Sequence, residues 1–330
     1  MTIRIGLVYD LRKDYLAEGF SPEEVSEFDS EDTVNNLEEA IKSLGYQVER
    51  IGHAKALCAA LVAGKRWDLV FNVAEGVKGR SREAQVPAIL EVYDVPYTFS
   101  DPLVSAVTLD KAVSKRLIKE AGLYTPDYKV VERLSDLDGL TLRYPLFAKP
   151  IAEGTGKGIE QDSRIDNQAQ LLKVCSRILA RCCQPVLVEE YLAGREFTVG
   201  IVGTASKSRV IGTMEVEILE QVGGTVYSLE TKERCEELVR YTELREAGLR
   251  KIVEKLALDC YLALECRDGG RVDVKLDAAG KPAFMEVNTL PGLHPTHSDL
   301  PMIATNAGMG YAELLGAIID SAKTRMRAKS

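Results

Sequence analysis

Short apolar runs alternate with helical patterns from the start of the chain, and that alternation restricts it to α/β architecture. IRIGLVYD reads as a buried strand. Asp32 to Leu44 carries helical periodicity, and Gly45 suits its C-cap. YQVERIG is then a strand, residues 54–63 an Ala-rich helix, DLVFNV a strand, Glu83 to Tyr93 a helix and VPYTF a strand. This block, residues 1–99, is expected to form an open, mostly parallel sheet.

A helix around residues 108–121 follows, stopped by Ala121-Gly122 and Pro126. YPLFAKP reads as a strand, EGTGKG as a glycine-rich turn with a return strand, residues 167–182 as a helix and PVLVEEYL as a buried strand. Residues 100–188 therefore read as α+β. The last block, 189–330, holds EFTVGIVG, RVIGTMEVEI and TVYSLE as strands, a helix near 243–258, a hairpin and a closing helix near 310–327. Three domains suit 330 residues, more than one hydrophobic core usually organises.

Composition narrows the function. A net charge of −8 argues against binding nucleic acid or an anionic membrane surface. No apolar run approaches the roughly 20 residues that span a bilayer. MTIRIGLVYD lacks the apolar core of a secretion signal, so a cytoplasmic protein is expected. The seven cysteines form no CxxC and no Cys/His metal spacing, and are expected to be reduced. GxSxG is absent, and His53, His294 and His297 form no recognisable triad or helical zinc motif.

The hairpin RVDVKLDAAGKPAFMEVNTLPG carries the chemistry. Alternation places Arg271, Asp273 and Lys275 on one face of its first strand. On the second strand Glu286 and Asn288 share a face, and Met285 and Val287 point away. Folding can gather Asp273, Glu286 and Asn288, two carboxylates and an amide oxygen. That hard-oxygen set suits magnesium, with manganese as the alternative. Arg271 stands one pleat away, able to face developing negative charge. Gly154-Thr155-Gly156-Lys157-Gly158 is neither a Walker loop nor GxGxxG opening a helix. Its glycines still allow a backbone to approach phosphate, although a flexible hairpin turn is the commoner use of such a segment. Lys149 ends a strand and can reach a cleft as a point charge, as can Lys111 at a helix start. Glu189 and Glu196 in VEEYLAGREF are carboxylates able to accept from ribose or adenine.

Taken in order, LDK, AKP with its glycine-rich loop, VEEYLAGREF, RVDV and MEVNTLPG resemble the ATP-grasp superfamily, and within it the D-alanine–D-alanine ligases. The resemblance covers nearly the whole chain, and PYTFSDPLVSAVTLDKAVSKRLIKEAGLYTPDY looks like the family's domain junction. It implies an ATP-grasp fold, two α+β domains gripping ATP, preceded by a Rossmann-like domain at the substrate site. By match to family positions, Lys111 and Lys149 would hold ATP phosphates under the loop containing Gly154, Thr155 and Gly156, with Thr155 where the family has serine. Glu189, Leu192 and Glu196 would receive adenine and ribose. Asp273, Glu286 and Asn288 would bind magnesium. Arg271 and the N–H of Gly292 would stabilise an oxyanion. Lys232 and Ser298 match positions that contact the second substrate's carboxylate or the phosphate loop. The implied reaction is ATP-dependent ligation of a carboxylate to an amine through an acyl phosphate, on small amino-acid substrates, in a homodimer.

Three departures touch the amino-acid pockets. The family's GGxSxEH element is replaced by YDLRKDYLAEGFSPEEVSEFDS, where Glu23, Glu24 and Glu27 all stand as candidates for the substrate ammonium. HGxxGEDG is replaced by FNVAEGVKGRSREAQVP, keeping an acid at Glu75-Gly76 or Arg82-Glu83. In LETKERCEEL, Glu233 replaces the usual tyrosine after Lys232.

Overall fold

The computed structural model describes residues 2–218 and 239–326. Lys232, Glu233 and the TVYSLE segment lie outside the described residues. Three sheets organise the rest. In the first, β1 (Arg4–Val8) lies between β2 (Gln47–Gly52) and β3 (Leu69–Asn72), both parallel to it. Its connections are the helices α1 (Arg12–Ala17), α2 (Glu31–Ser43) and α3 (Ala54–Val62); α4 (Gln85–Val92) follows β3. The parallel arrangement matches expectation. VPYTF does not form a strand, and only Tyr97 makes a single parallel bridge to Val70.

The expected helix over 108–121 is two helices, α5 (Pro102–Leu109) and α6 (Lys111–Glu120). Asp110 breaks them: its carboxylate accepts from the N–H groups of Ala112 and Val113, capping α6. The second sheet has the order β4 (Tyr128–Val131), β7 (Val186–Glu190), β5 (Leu146–Pro150), β6 (Arg164–Ile165), antiparallel throughout. Helix α7 (Gln168–Cys182) covers one face with Leu171, Val174, Cys175 and Ile178.

The third sheet has the order β10 (Val239–Glu243), β9 (Arg209–Ile218), β8 (Glu196–Val202), β11 (Gly269–Leu276), β12 (Pro282–Asn288). Helix α8 (Ala247–Ala263) packs Val253, Ala257 and Tyr261 beneath it; the helix expected over 243–258 thus begins later, after the edge strand. The closing helices α9 (Asp299–Asn306) and α10 (Tyr311–Lys323) join a core shared by the first and third sheets, where Leu7, Phe71, Leu300 and Ile318 meet. No single helix among the described residues is long and apolar enough to cross a membrane.

The β11–β12 hairpin forms as the pattern demands. Its turn is closed by Gly280 N–H on the Asp277 carbonyl at 3.0 Å, with Gly280 at φ +78°, a conformation costly for any residue with a Cβ. Asp277 Oδ1 accepts from the N–H groups of Ala279 and Lys281, both at 2.9 Å.

Candidate active site

Two cavities meet at the hairpin. The first lies between the second and third sheets and is lined by Lys149, the 154–157 loop, Glu189, Leu192, Glu196 and Asp273, among others. The second lies toward the first sheet and is lined by Glu27, Glu75, Glu83, Asn288 and Gly292. Lys111, Gly154, Thr155, Arg271 and Glu286 line both.

The register explains this. Arg271 pairs with Asn288 and Asp273 with Glu286, but Val274 pairs with Phe284, so Met285 is an extra residue. Such a bulge puts two successive side chains on one face. Of Met285 and Val287, both expected to point away, Met285 lines the first cavity beside Glu286, and Val287, though buried, lines the second.

Glu286 sits among cations: its Oε2 is 3.4 Å from Lys111 Nζ and 3.7 Å from Lys149 Nζ. Burial alone would raise its pKa, but Lys111, Lys149 and Arg271 together hold it down at about 2. Lys111 Nζ also donates to the Glu153 carbonyl at 2.6 Å. Arg271 forks onto Asp273, Nε to Oδ1 at 3.0 Å and Nη2 to Oδ2 at 3.1 Å, and its Nη1 reaches Asp299 Oδ2 at 2.9 Å. Thr198 donates to Asp273 at 2.8 Å. Burial pushes the Asp273 carboxyl up and the guanidinium opposes it.

The glycine-rich loop follows β5. Lys157 N–H bonds the Gly154 carbonyl at 3.0 Å, and Ile159 N–H bonds that of Gly156 at 3.1 Å. Thr155 sits at φ +59°, a strained conformation for a β-branched residue. Glu27 reaches across from the first sheet's side: its Oε1 accepts from Gly154 N–H at 2.8 Å and its Oε2 pairs with Arg82 at 3.0 Å. This separates the three acidic candidates. Glu23 pairs with Arg181 and Glu24 binds Ser21; of the three, Glu27 alone lines the second cavity.

Glu196 pairs with Lys275 at 2.8 Å at the cavity edge. Glu189 lines the first cavity as a residue that is 0% exposed, and its oxygens stand 3.0 Å from Lys149 and 2.8 Å from Lys115. A Cβ at Gly292 would stand 2.8 Å from Ser298 Oγ, so a larger residue there requires the Ser298 hydroxyl to move. Ser298 Oγ accepts from His294 N–H at 3.0 Å and stands behind Gly292 rather than lining either cavity.

Among the described residues no three His, Cys, Asp or Glu side chains gather as a metal cluster. The available set is the facing pair Asp273 and Glu286 with the Asn288 amide. All are oxygen donors, which fits magnesium, a cation that takes few protein ligands and completes its shell with water and phosphate. Sequence reasoning missed Lys115, Glu27's loop contact and Asp299. Lys115 lies in the junction segment and Glu27 in the segment that replaces GGxSxEH, but neither pattern announces these contacts; the helical repeat from Lys111 to Lys115 was the one available signal.

The family model described as D-ala D-ala ligase C-terminus matches residues 117–320. A D-alanine–D-alanine ligase of Aquifex aeolicus is 33% identical over 283 residues, 85% of this chain and 91% of that protein. A D-alanine–D-alanine ligase of Bacillus anthracis, solved in complex with ATP, has the same fold at a TM-score of 0.75 and 24% identity, covering 98% of both chains. The VanG D-Ala:D-Ser ligase of Enterococcus faecalis superposes at 0.75 with 21% identity, over 98% of this chain and 100% of that one.

Proposed function

The chain belongs to the D-alanine–D-alanine ligase family of ATP-grasp enzymes, and from that premise we propose how its residues divide the work of an ATP-dependent, ADP-forming amide ligase. One observation carries the reading: Glu286, Lys111 and Arg271 stand in the wall common to both cavities. ATP takes the first cavity, its phosphates toward Lys111 and Lys149 under the 154–157 loop. Glu196 and Leu192 sit toward the nucleoside end. The first amino acid takes the second cavity, its carboxylate directed at the shared wall.

A carboxylate is a poor electrophile. Its attack on the γ-phosphate gives an acyl phosphate and ADP; the second amino acid's amine then attacks the acyl carbon, and phosphate leaves. Lys111 and Lys149 offset charge on the transferring phosphoryl group. Arg271 and the Gly292 N–H face the oxyanion of the tetrahedral intermediate. Asp273, Glu286 and Asn288 would hold magnesium, which when bound neutralises phosphate charge. Enclosure between the sheets protects the acyl phosphate from water. Cytoplasmic location and a homodimer, to be measured by light scattering, belong to this proposal.

The acids of the second cavity bear on substrate class. Glu27, Glu75 and Glu83 suit a substrate ammonium. The deciding assay is phosphate release from ATP across D- and L-amino acids, singly and in pairs. Release by D-alanine alone supports a D-Ala–D-Ala ligase, release by another amine a redirected ligase, and no release with any pair overturns the ligase reading.

A pH dependence follows. Burial, then the neighbouring Glu27, push the Glu83 carboxyl up to about 7, against Arg82 and Lys111. A raised carboxyl is neutral below that value and ionised above it. The KM of the first amino acid is therefore expected to fall severalfold from about pH 6 to about pH 7.5. A flat KM, or a flat difference between wild type and Glu83→Gln, would remove Glu83 from the ammonium site.

A further inference from the structure

Behind the nucleotide cavity lies a second lysine. Lys115 is one turn after Lys111 on α6 and is 0% exposed. Its Nζ donates to Thr125 Oγ1 at 2.8 Å and lies 2.8 Å from Glu189 Oε2. Thr125 in turn donates to the Phe284 carbonyl at 2.7 Å. Lys115 does not line the cavity, whereas Lys149 and Glu189 do. The Glu189 carboxylate is thus shared, one oxygen to Lys115 behind and the other to Lys149 in front at 3.0 Å.

Buried charges are retained only when compensated. A lysine meant for phosphate should not spend its charge on a protein carboxylate. Arg271 beside Glu286 is already paired with Asp273 and Asp299; among Lys111, Lys115, Lys149, Glu189 and Glu286 the three lysines exceed the two carboxylates by one positive charge, which faces the nucleotide. Without Lys115 the cluster is neutral and Glu189 has only Lys149 to pair with.

We propose that Lys115 is a positioning residue for ATP: by neutralising Glu189 from behind, it leaves the Lys149 ammonium available to the phosphates. The inference rests on the nucleotide reading of the first cavity. A merely structural tie between α6 and β7 makes a different prediction, because then only stability should change.

The test compares wild type, Lys115→Met and the double variant Lys115→Met/Glu189→Gln, each checked for folding by circular dichroism. MgATP binding is measured by calorimetry and KM and kcat by phosphate release. Lys115→Met is expected to weaken MgATP binding and raise its KM at least about tenfold, with kcat changed less. The double variant removes the competing carboxylate charge as well, and is expected to bring MgATP affinity back to within about threefold of wild type. An unchanged affinity in Lys115→Met, or a double variant as weak as the single one, would overturn the proposal. If Lys115→Met does not fold, the double variant decides: near-native affinity supports the proposal, a tenfold loss overturns it. Failure of the wild type itself to bind MgATP would instead strike the nucleotide reading.

Discussion

Arg271→Ala is expected to lose at least about a hundredfold in phosphate release at saturating substrates, the scale of one lost oxyanion donor, on the order of 3 kcal/mol. The structure adds a reason the sequence did not offer. Arg271 is clamped by Asp273 on one side and Asp299 on the other, so its fork is aimed before substrate arrives. Preorganised donors of this kind need no rearrangement as charge develops. Removal also strands two carboxylates, and some loss of stability will accompany the loss of rate. Arg271→Lys separates the two effects. It keeps the charge but not the planar fork, so it should recover much of the stability and little of the rate. Wild-type turnover in Arg271→Ala would exclude the role.

Arg325→Met should give the largest stability loss outside the site. Asp268 is 0% exposed and collects Arg325 Nη1 at 2.7 Å, Phe99 N–H at 2.8 Å and Thr204 Oγ1 at 3.1 Å. One carboxylate thus ties the end of the first block, the turn after β8 and the residues after α10. Breaking a buried pair by removing one partner costs about 3 kcal/mol or more. Arg325 is partly exposed and can return to water, so Asp268→Asn should cost less than Arg325→Met. Urea unfolding of the two variants checks the order, and equal midpoints would show that the charge on Asp268 does not matter.

Local pattern made much of this legible. Alternation in RVDVKL and the DAAG turn gave the hairpin, and the parallel first sheet followed from runs of apolar residues separated by helices. What failed to show depended on contacts distant in sequence. AVTLDKAVSK reads as one continuous helix, and nothing in it announces that Asp110 will turn its side chain back on Ala112 and Val113. Glu23, Glu24 and Glu27 look equivalent in sequence; packing against Gly154 and Arg82 distinguishes them. Glu189 matched a nucleotide position, yet its two lysine partners come from β5 and α6, which no spacing rule connects.

The extra residue at Met285 gives β12 a reading frame. Asp273 faces Glu286 only because one position is looped out between Phe284 and Glu286. Were the bulge straightened with Met285 still in place, Met285 would stand opposite Asp273, and an aliphatic group would take the spot where the acid stands. Length changes in this part of the chain can therefore accumulate at the Asp277–Gly280 turn, while between Phe284 and Asn288 only those that keep Glu286 opposite Asp273 let the enzyme keep its chemistry.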